Sequence, residues 1–342
     1  MKAIVIREHG GPEVLRLEEL PDPVAGPGEA LVRVRACALN HLDLWTRRGL
    51  PGRKVGFPHV LGNDVAGEIV TLGSEAAGLE AGQRVILCPG ISCGRCRACL
   101  QGEDSACRSY RILGNQVHGG YAELVLCPIV NLIPLPAGFG FEEAAAFPLV
   151  FLTAWRMLVT RARLRPGEDV LVWAAGSGVG MAAIQVAKLF GARVIATAGT
   201  DRKLDQAKFL GADHVIHHHR DDVVAEVRRL TGKKGVEVVV EHVGQATWER
   251  SILCLAQRGR LVTCGATTGP DGATDLRYVF SKQLSILGCY TGGKAELLEA
   301  ADFFFARKLR TVVHGVYPLA EARRAHEAME ASEHFGKLVL VP

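Results

Sequence analysis

A large excess of charge of one sign is missing from this chain. Lysines and arginines number 40 against 36 acidic residues, for a formal net charge of +4. The basic residues of 224–237 and 321–337 are interleaved with acids, so no stripe is available to track phosphates, and nucleic acid is excluded as an expected partner. Long apolar runs are missing as well. No stretch approaches the roughly 18 uncharged apolar residues of a membrane span, so no membrane association is expected. The apolar run that follows Lys2 is stopped by Arg7 and Glu8, too early for the core of an export signal, and the expected compartment is the cytoplasm. Internal repeats are absent, and low complexity is limited to His217, His218 and His219.

What is present is the composition of a globular enzyme. Hydrophobic residues at 48% against charged residues at 22% suffice for large cores and argue against global disorder. At 342 residues the chain is long for a single core, so two domains are expected. The strongest chemical signal is Cys93, Cys96, Cys99 and Cys107, spaced C-x2-C-x2-C-x7-C in a polar, glycine-bearing loop. Four thiolates complete the tetrahedron that zinc favours and leave no position for water or substrate, so one structural zinc is expected. Structural zinc binds small peptides with about 10–16 kcal/mol, enough to decide whether 90–110 is ordered. Two disulfides or free thiols are the alternative, and two-residue gaps suit chelation better than bridging. Cys37, Cys88, Cys127, Cys254, Cys264 and Cys289 lie mostly in apolar runs and read as small buried side chains.

Residues 1–135 read as short strands punctuated by Gly and Pro. Stretch 31–36 alternates apolar and basic side chains, and 66–72 and 84–87 are similar, which predicts an antiparallel, barrel-like half. After the stiff connector 134–138 comes an apolar helix that runs through Leu158. Strands and helices then alternate, with strands expected at 170–174, 194–197, 214–216, 236–240, 261–264 and 286–289. That order predicts the α/β class with a doubly wound, six-stranded parallel sheet. A helix is expected at 181–190, ended by Gly191. The tail from Glu296 returns to amphipathic helices and a last strand at 338–341, too short for a third domain and expected to rejoin the first half. His214, His217, His218 and His219 read as a solvated strand end, because neighbouring rings on a strand point to opposite faces and do not converge on an ion.

Between the strand ending at Ala174 and the next helix lies Ala175-Gly176-Ser177-Gly178-Val179-Gly180. Glycines let a backbone approach a pyrophosphate, and the helix N-terminus offers free amides and the positive end of its dipole. In the usual G-x-G-x-x-G register only Gly180 matches, so the placement between strand and helix carries the assignment of a dinucleotide site. The second strand ends without the carboxylate that accepts from a ribose: Ala198-Gly199-Thr200 is followed by Asp201, Arg202 and Lys203. A guanidinium and an ammonium there suit a 2′-phosphate, so NADP(H) is expected over NAD(H), with Asp201 as the counter-argument. His242, Val243, Gly265, Ala266 and Thr267 close the fourth and fifth strands at the carboxyl edge and are expected cofactor contacts, alongside Gly176, Ser177, Gly178, Val179, Gly180, Ala198, Thr200, Arg202 and Lys203.

With these residues in hand, the chain resembles the medium-chain dehydrogenase/reductase superfamily over nearly its whole length. The resemblance rests on 28–34, on Pro58 to Gly67, on the cysteine loop, on His118 to Glu123 and on the Gly176 to Gly180 turn. It implies a GroES-like catalytic domain from 1–150 and 290–342, with a zinc lobe at about 88–110, and a Rossmann domain at 151–289. It implies an active site in the cleft between them, and dimers or tetramers paired through the edge strand at 284–290. The catalytic-zinc ligands of the alcohol dehydrogenases fall on Asn40, Asn63 and Leu149, and their proton-relay hydroxyl on Leu42. A neutral amide is a poor zinc ligand and leucine is none. Asn40, the Gly62-Asn63-Asp64 trio and 152–155 look more like the quinone oxidoreductase branch, which works without a metal.

The expected activity is therefore hydride transfer from NADPH to a quinone, an enone or another activated carbonyl, with Asn40 and Asn63 as candidate donors to the substrate oxygen. The resemblance puts His41 near the cofactor pyrophosphate, with proton donation as its alternative role, and Thr153 on the nicotinamide side. Asp43 and Asp64 read as hydrogen-bond anchors close to the catalytic groups. Two rivals stay open. One is an alcohol or aldehyde dehydrogenase whose cleft recruits a metal through His41, His59, Asp64 or His118, and the other is a dinucleotide-binding protein without chemistry.

Overall fold

The computed structural model describes residues 1–49, 52, 55–74 and 78–342. It divides into two units, one made of Met1–Leu149, Gly293–Phe305 and Arg310–Pro342, the other of Val150–Gly292 and Ala306–Leu309.

In the first unit the alternation of 31–36 works as a strand should. Val32 and Val34 point into the core while Arg33 and Arg35 face solvent, within the longer strand Glu29–Ala38. This strand is the spine of a seven-stranded sheet. Asp64–Leu72 and Leu124–Pro128 pair with it antiparallel, and Lys337–Val341 joins its far end. Register matters more here than the strand count. Ala38 faces Asp64 on one neighbour and Val339 on the other, so the ends of the three strands deliver residues 40, 64 and 337 to one place. Val32, Val34, Ile69, Val85, Leu338 and Leu340 form part of the core beneath.

In the second unit six parallel strands run in the order His214–His217, Arg193–Ala198, Asp169–Val172, Val236–Glu241, Leu255–Thr263, Ser285–Gly288. This is the doubly wound sheet expected from sequence. Val170, Leu171, Val172, Val238, Val239 and Val240 are fully buried, as strands covered on both faces must be. The order reverses at Asp169–Val172, which makes its carboxyl end the switch point where such sheets bind ligands. Two boundaries differ from expectation. The helix after the glycine turn starts at Gly178, because Ser177 caps it, its Oγ accepting from Gly180 N at 2.9 Å. The fifth strand begins at Leu255, six residues before the stretch of apolar alternation that revealed it.

One helix bears on the expectation that no segment spans a membrane. Among the described residues the helical run Phe141–Arg161 is long and apolar enough, by length and composition, to cross a membrane. Its most apolar window is 83% buried within the protein, the environment of a core helix.

Candidate functional site

In the first unit Asn40 lies two residues past the spine strand and caps the helix His41–Arg48. Its backbone N–H donates to Asp43 Oδ2 at 2.8 Å, and Gly62 N donates to Asp43 Oδ1 at 3.0 Å. Both oxygens of Asp43 are thus taken by the backbone. Burial pushes the Asp43 carboxyl up to about 7 in spite of those two bonds. Asp64, also fully buried, accepts from Leu149 N at 2.8 Å through Oδ1 and from Asn40 Nδ2 at 2.9 Å through Oδ2. The group that sequence reading missed is Lys337. Its ammonium, 2% exposed, lies 2.6 Å from Asn40 Oδ1 and 3.1 Å from Asp64 Oδ2. Only the Gly336-Lys337 step before the last apolar run could have flagged it, and a lysine there reads as a solvated strand end.

Asn63 is buried completely. Its Nδ2 donates to Leu113 O at 2.5 Å, which leaves Oδ1, an acceptor, without a partner. His41 opens its helix, half-buried, with its ring 6.3 Å from that of Trp45. A divalent ion does not fit this cluster. The positions on which the resemblance places zinc ligands hold two amides and a leucine, Leu149 reaches the cluster only through its backbone N–H, and the oxygen of Asn40 already meets an ammonium. Nor do the histidines complete a second set. His59 Nε2 contacts Gly114 O at 3.2 Å, His118 Nδ1 accepts from Val60 N at 3.3 Å, and burial holds His59 down at about 4. Among the described residues the only group of three or more metal-type side chains close enough for one ion is the cysteine quartet.

There the donors do fit. All four sulfurs lie within 4.8 Å of one another, with Cys93 and Cys99 at 3.9 Å and Cys96 and Cys99 at 3.4 Å. Zinc bonds of about 2.3 Å in a tetrahedron would separate sulfurs by about 3.8 Å. All ten cysteines are free of disulfides. Cys264 and Cys289 are half-buried, against the expectation of burial, because each follows the last residue of a strand at the open edge of the sheet. Asp104 ties the lobe down, accepting from Ser92 Oγ at 3.0 Å and from Lys294 N at 2.8 Å.

In the second unit the glycine turn is bound to its neighbours. Ala174 takes a left-handed φ of +46°, and its N–H donates to Thr197 Oγ1 at 3.2 Å. Gly180 is needed for packing, since a Cβ there would meet Ala174 O at 2.3 Å. His242, buried and held neutral by that burial, sits with Nε2 3.0 Å from Trp173 O and 3.4 Å from Ser177 Oγ. It braces the turn from below. Thr267 Oγ1 donates to His242 O at 3.2 Å and locks the next loop onto it.

At the end of Arg193–Ala198 the expected adenosine-ribose residues Ala198, Thr200, Arg202 and Lys203 stand together at the start of the helix Asp201–Phe209. Asp201 is occupied. Both terminal nitrogens of Arg220 bond its carboxylate and hold it below the usual carboxylate range. The histidine run is only partly the solvated end expected. His217 is buried and His218 half-buried, with Nδ1 3.3 Å from Thr197 Oγ1, and only His219 is exposed. Rings 218 and 219 lie 4.5 Å apart, and a Cβ at Gly199 would come within 3.1 Å of both. The rings come together because the strand has already ended at His217.

Residues 26–137 match the family described as alcohol dehydrogenase GroES-like domain, and 178–306 the family described as zinc-binding dehydrogenase. A quinone oxidoreductase from Pseudomonas aeruginosa is 34% identical, across 100% of this chain and 99% of its own length. An acryloyl-coenzyme A reductase from Metallosphaera sedula is 32% identical over 99% of each. Among solved structures an NAD-dependent alcohol dehydrogenase superposes with a TM-score of 0.97 at 50% identity, covering both chains fully.

Proposed function

We propose that this chain, which belongs to the medium-chain dehydrogenase/reductase superfamily and is an NAD(P)-dependent oxidoreductase, reduces quinones, enones or other activated carbonyls with NADPH and without a metal at the reacting centre. One observation carries the reading: the side-chain oxygen of Asn40, one of the positions at which the resemblance expects a zinc ligand, is held by the buried Lys337, and its nitrogen by Asp64. When bound, the dinucleotide supplies a hydride from its reduced nicotinamide. The chain's task is to stabilise the negative charge that grows on the substrate oxygen. Asn40 is suited to it, with one Nδ2 proton spent on Asp64 and the second left for a ligand. A donor of this kind is worth about 3–4 kcal/mol in a dry site. Asn63 clamps Leu113, and Asp43 and Asp64 anchor the helix and the amide. His41 and Thr153 are assigned to the cofactor, His41 at its pyrophosphate. Enones and quinones spread the developing charge over several atoms, so they need less help than simple ketones.

NADP(H) is the favoured dinucleotide, because Arg202 and Lys203 put cationic groups just past the end of the second strand, where a 2′-phosphate would lie, while Arg220 pairs with Asp201. One zinc per chain would fill the cysteine cage. The exposed Ile286 and Tyr290 at the outer strand of the parallel sheet suit pairing with a second copy, and ten free thiols suit a reducing cytoplasm. Steady NADPH consumption with a panel of quinones and enones, unaffected by a chelator that leaves one zinc per chain, is the expected result. Fast oxidation of simple alcohols that a chelator abolishes would reject it. A second reading, an NAD-dependent alcohol dehydrogenase, is favoured by the 50% identity to the solved NAD-dependent alcohol dehydrogenase. Two zinc ions per chain and a preference for NADH would select it.

A further inference from the structure

We infer that Lys337 is the resident cation of the substrate site, a positioning residue that fixes and polarises the Asn40 amide from behind; the inference rests on the Asn40 role given above. Lys337–Val341 pairs antiparallel with the spine strand, Leu340 against Cys37 and Val339 against Ala38, and continuing that register brings residue 337 opposite residue 40. The ammonium is 0.5 Å closer to the neutral oxygen of Asn40, at 2.6 Å, than to the carboxylate of Asp64, at 3.1 Å. A lysine placed only to balance Asp64 would favour the carboxylate. Asp43 does not compete, since both its oxygens are held by backbone N–H groups.

Within this trio the fully buried members are Lys337 and Asp64, and Asn40 is the most accessible at 7%. Charge placed on an amide oxygen withdraws electron density from its nitrogen, so the remaining N–H becomes a stronger donor, an effect that low local dielectric magnifies. Asp64 Oδ2 holds the other N–H and thereby fixes the plane of the carboxamide. A divalent ion in a zinc-type relative is a Lewis acid that acts on the substrate directly. Here a positive charge acts at one remove, through the carboxamide of a side chain that cannot itself be charged. The arrangement suits substrates whose carbonyls need only moderate activation.

Two measurements on the full-length protein test this. The first is difference infrared spectroscopy of carbonyl-labelled cyclohexenone bound with NADP⁺, in which no turnover occurs. The second is steady-state reduction of cyclohexenone and 1,4-benzoquinone by NADPH. The expected result is a lowered carbonyl stretch in the wild type, most of it lost in Lys337→Met. Turnover should fall about hundredfold, the scale of losing one oxyanion donor, with the NADPH KM unchanged. Lys337→Arg should recover part of both. Because Lys337→Met leaves Asp64 unpaired, Asp64→Asn/Lys337→Met serves as the control for folding: it should regain thermal stability without regaining turnover. A double variant that recovers both, or a carbonyl shift that survives in Lys337→Met, would make the lysine a mere charge partner and overturn the inference. An unshifted carbonyl in the wild type would remove the Asn40 role first, and this inference with it.

Discussion

Two places in this molecule are built around positive charge, and they are built in opposite ways. The cysteine cage gathers its four donors from one loop, held by a helix of only four residues and by Asp104. The Lys337 cluster draws on three strands of a sheet with a dense apolar core, and carries its cation covalently. The first is expected to be ordered by a bound ion. The second is ordered by the fold and needs nothing from solution. A charge that the fold supplies stays in place and is present at every turnover, while one taken from solution can be stripped without unfolding the rest.

The sharpest way to break the comparison is to empty the cage. Cys96→Ser or exhaustive chelation should abolish the bound ion and make the 90–110 loop the first site of proteolytic cleavage, with the parallel-sheet unit still intact by far-UV circular dichroism. An uncleaved loop would mean that the lobe is ordered without metal.

The second test concerns acid response beside the ammonium. Asp43 titrates at about 7 in the fold and near 3.8 when exposed, so the folded state binds the extra proton between those values. Its contribution is therefore complete below pH 4 and is lost as pH rises through 7, a swing of about 4 kcal/mol in the unfolding free energy. Denaturant titrations of Asp43→Asn should lack that fall. His59 works in the opposite direction, because its depressed value of about 4 makes stability drop as pH falls from 6.5 towards 4.

Third, Asn40→Ala should lower turnover by about 3 kcal/mol, more than a hundredfold, with little change in the NADPH KM. Equal losses in both would give Asn40 a structural role only.

The smallest effect belongs to charges on the surface. Arg220→Ala frees Asp201, and the ratio of NADPH to NADH efficiency should fall roughly three- to tenfold, with Lys203→Ala moving it the same way. An unchanged ratio would take the adenosine end out of cofactor choice.

The same contrast explains what could be read from sequence. The cage is local, so spacing revealed it, and the parallel sheet was legible because its central strands are apolar runs that alternate with helices, while the spatial order of the strands was not. Lys337 was illegible because its partners lie 297 and 273 residues away, and nothing local separates a buried lysine at a strand start from a solvated one. Asn40 and Asn63 were named through family likeness, but which of their atoms meets Leu113, Asp64 or Lys337 depends on the three-dimensional register, which no local stretch of sequence carries. The histidine run misled because alternation of faces holds along a strand, and this strand stops at the first ring of the three.

The tight seat of Gly180 against Ala174 carries a consequence for how this enzyme can change over evolutionary time. Mutational drift has almost no purchase at that end of the dinucleotide cradle, where any side chain collides with a carbonyl. At the opposite end Thr200, Arg202 and Arg220 are exposed, with room for other side chains. A lineage switching its redox currency would be forced to travel through that corner, leaving the glycine turn as a fossil common to both versions.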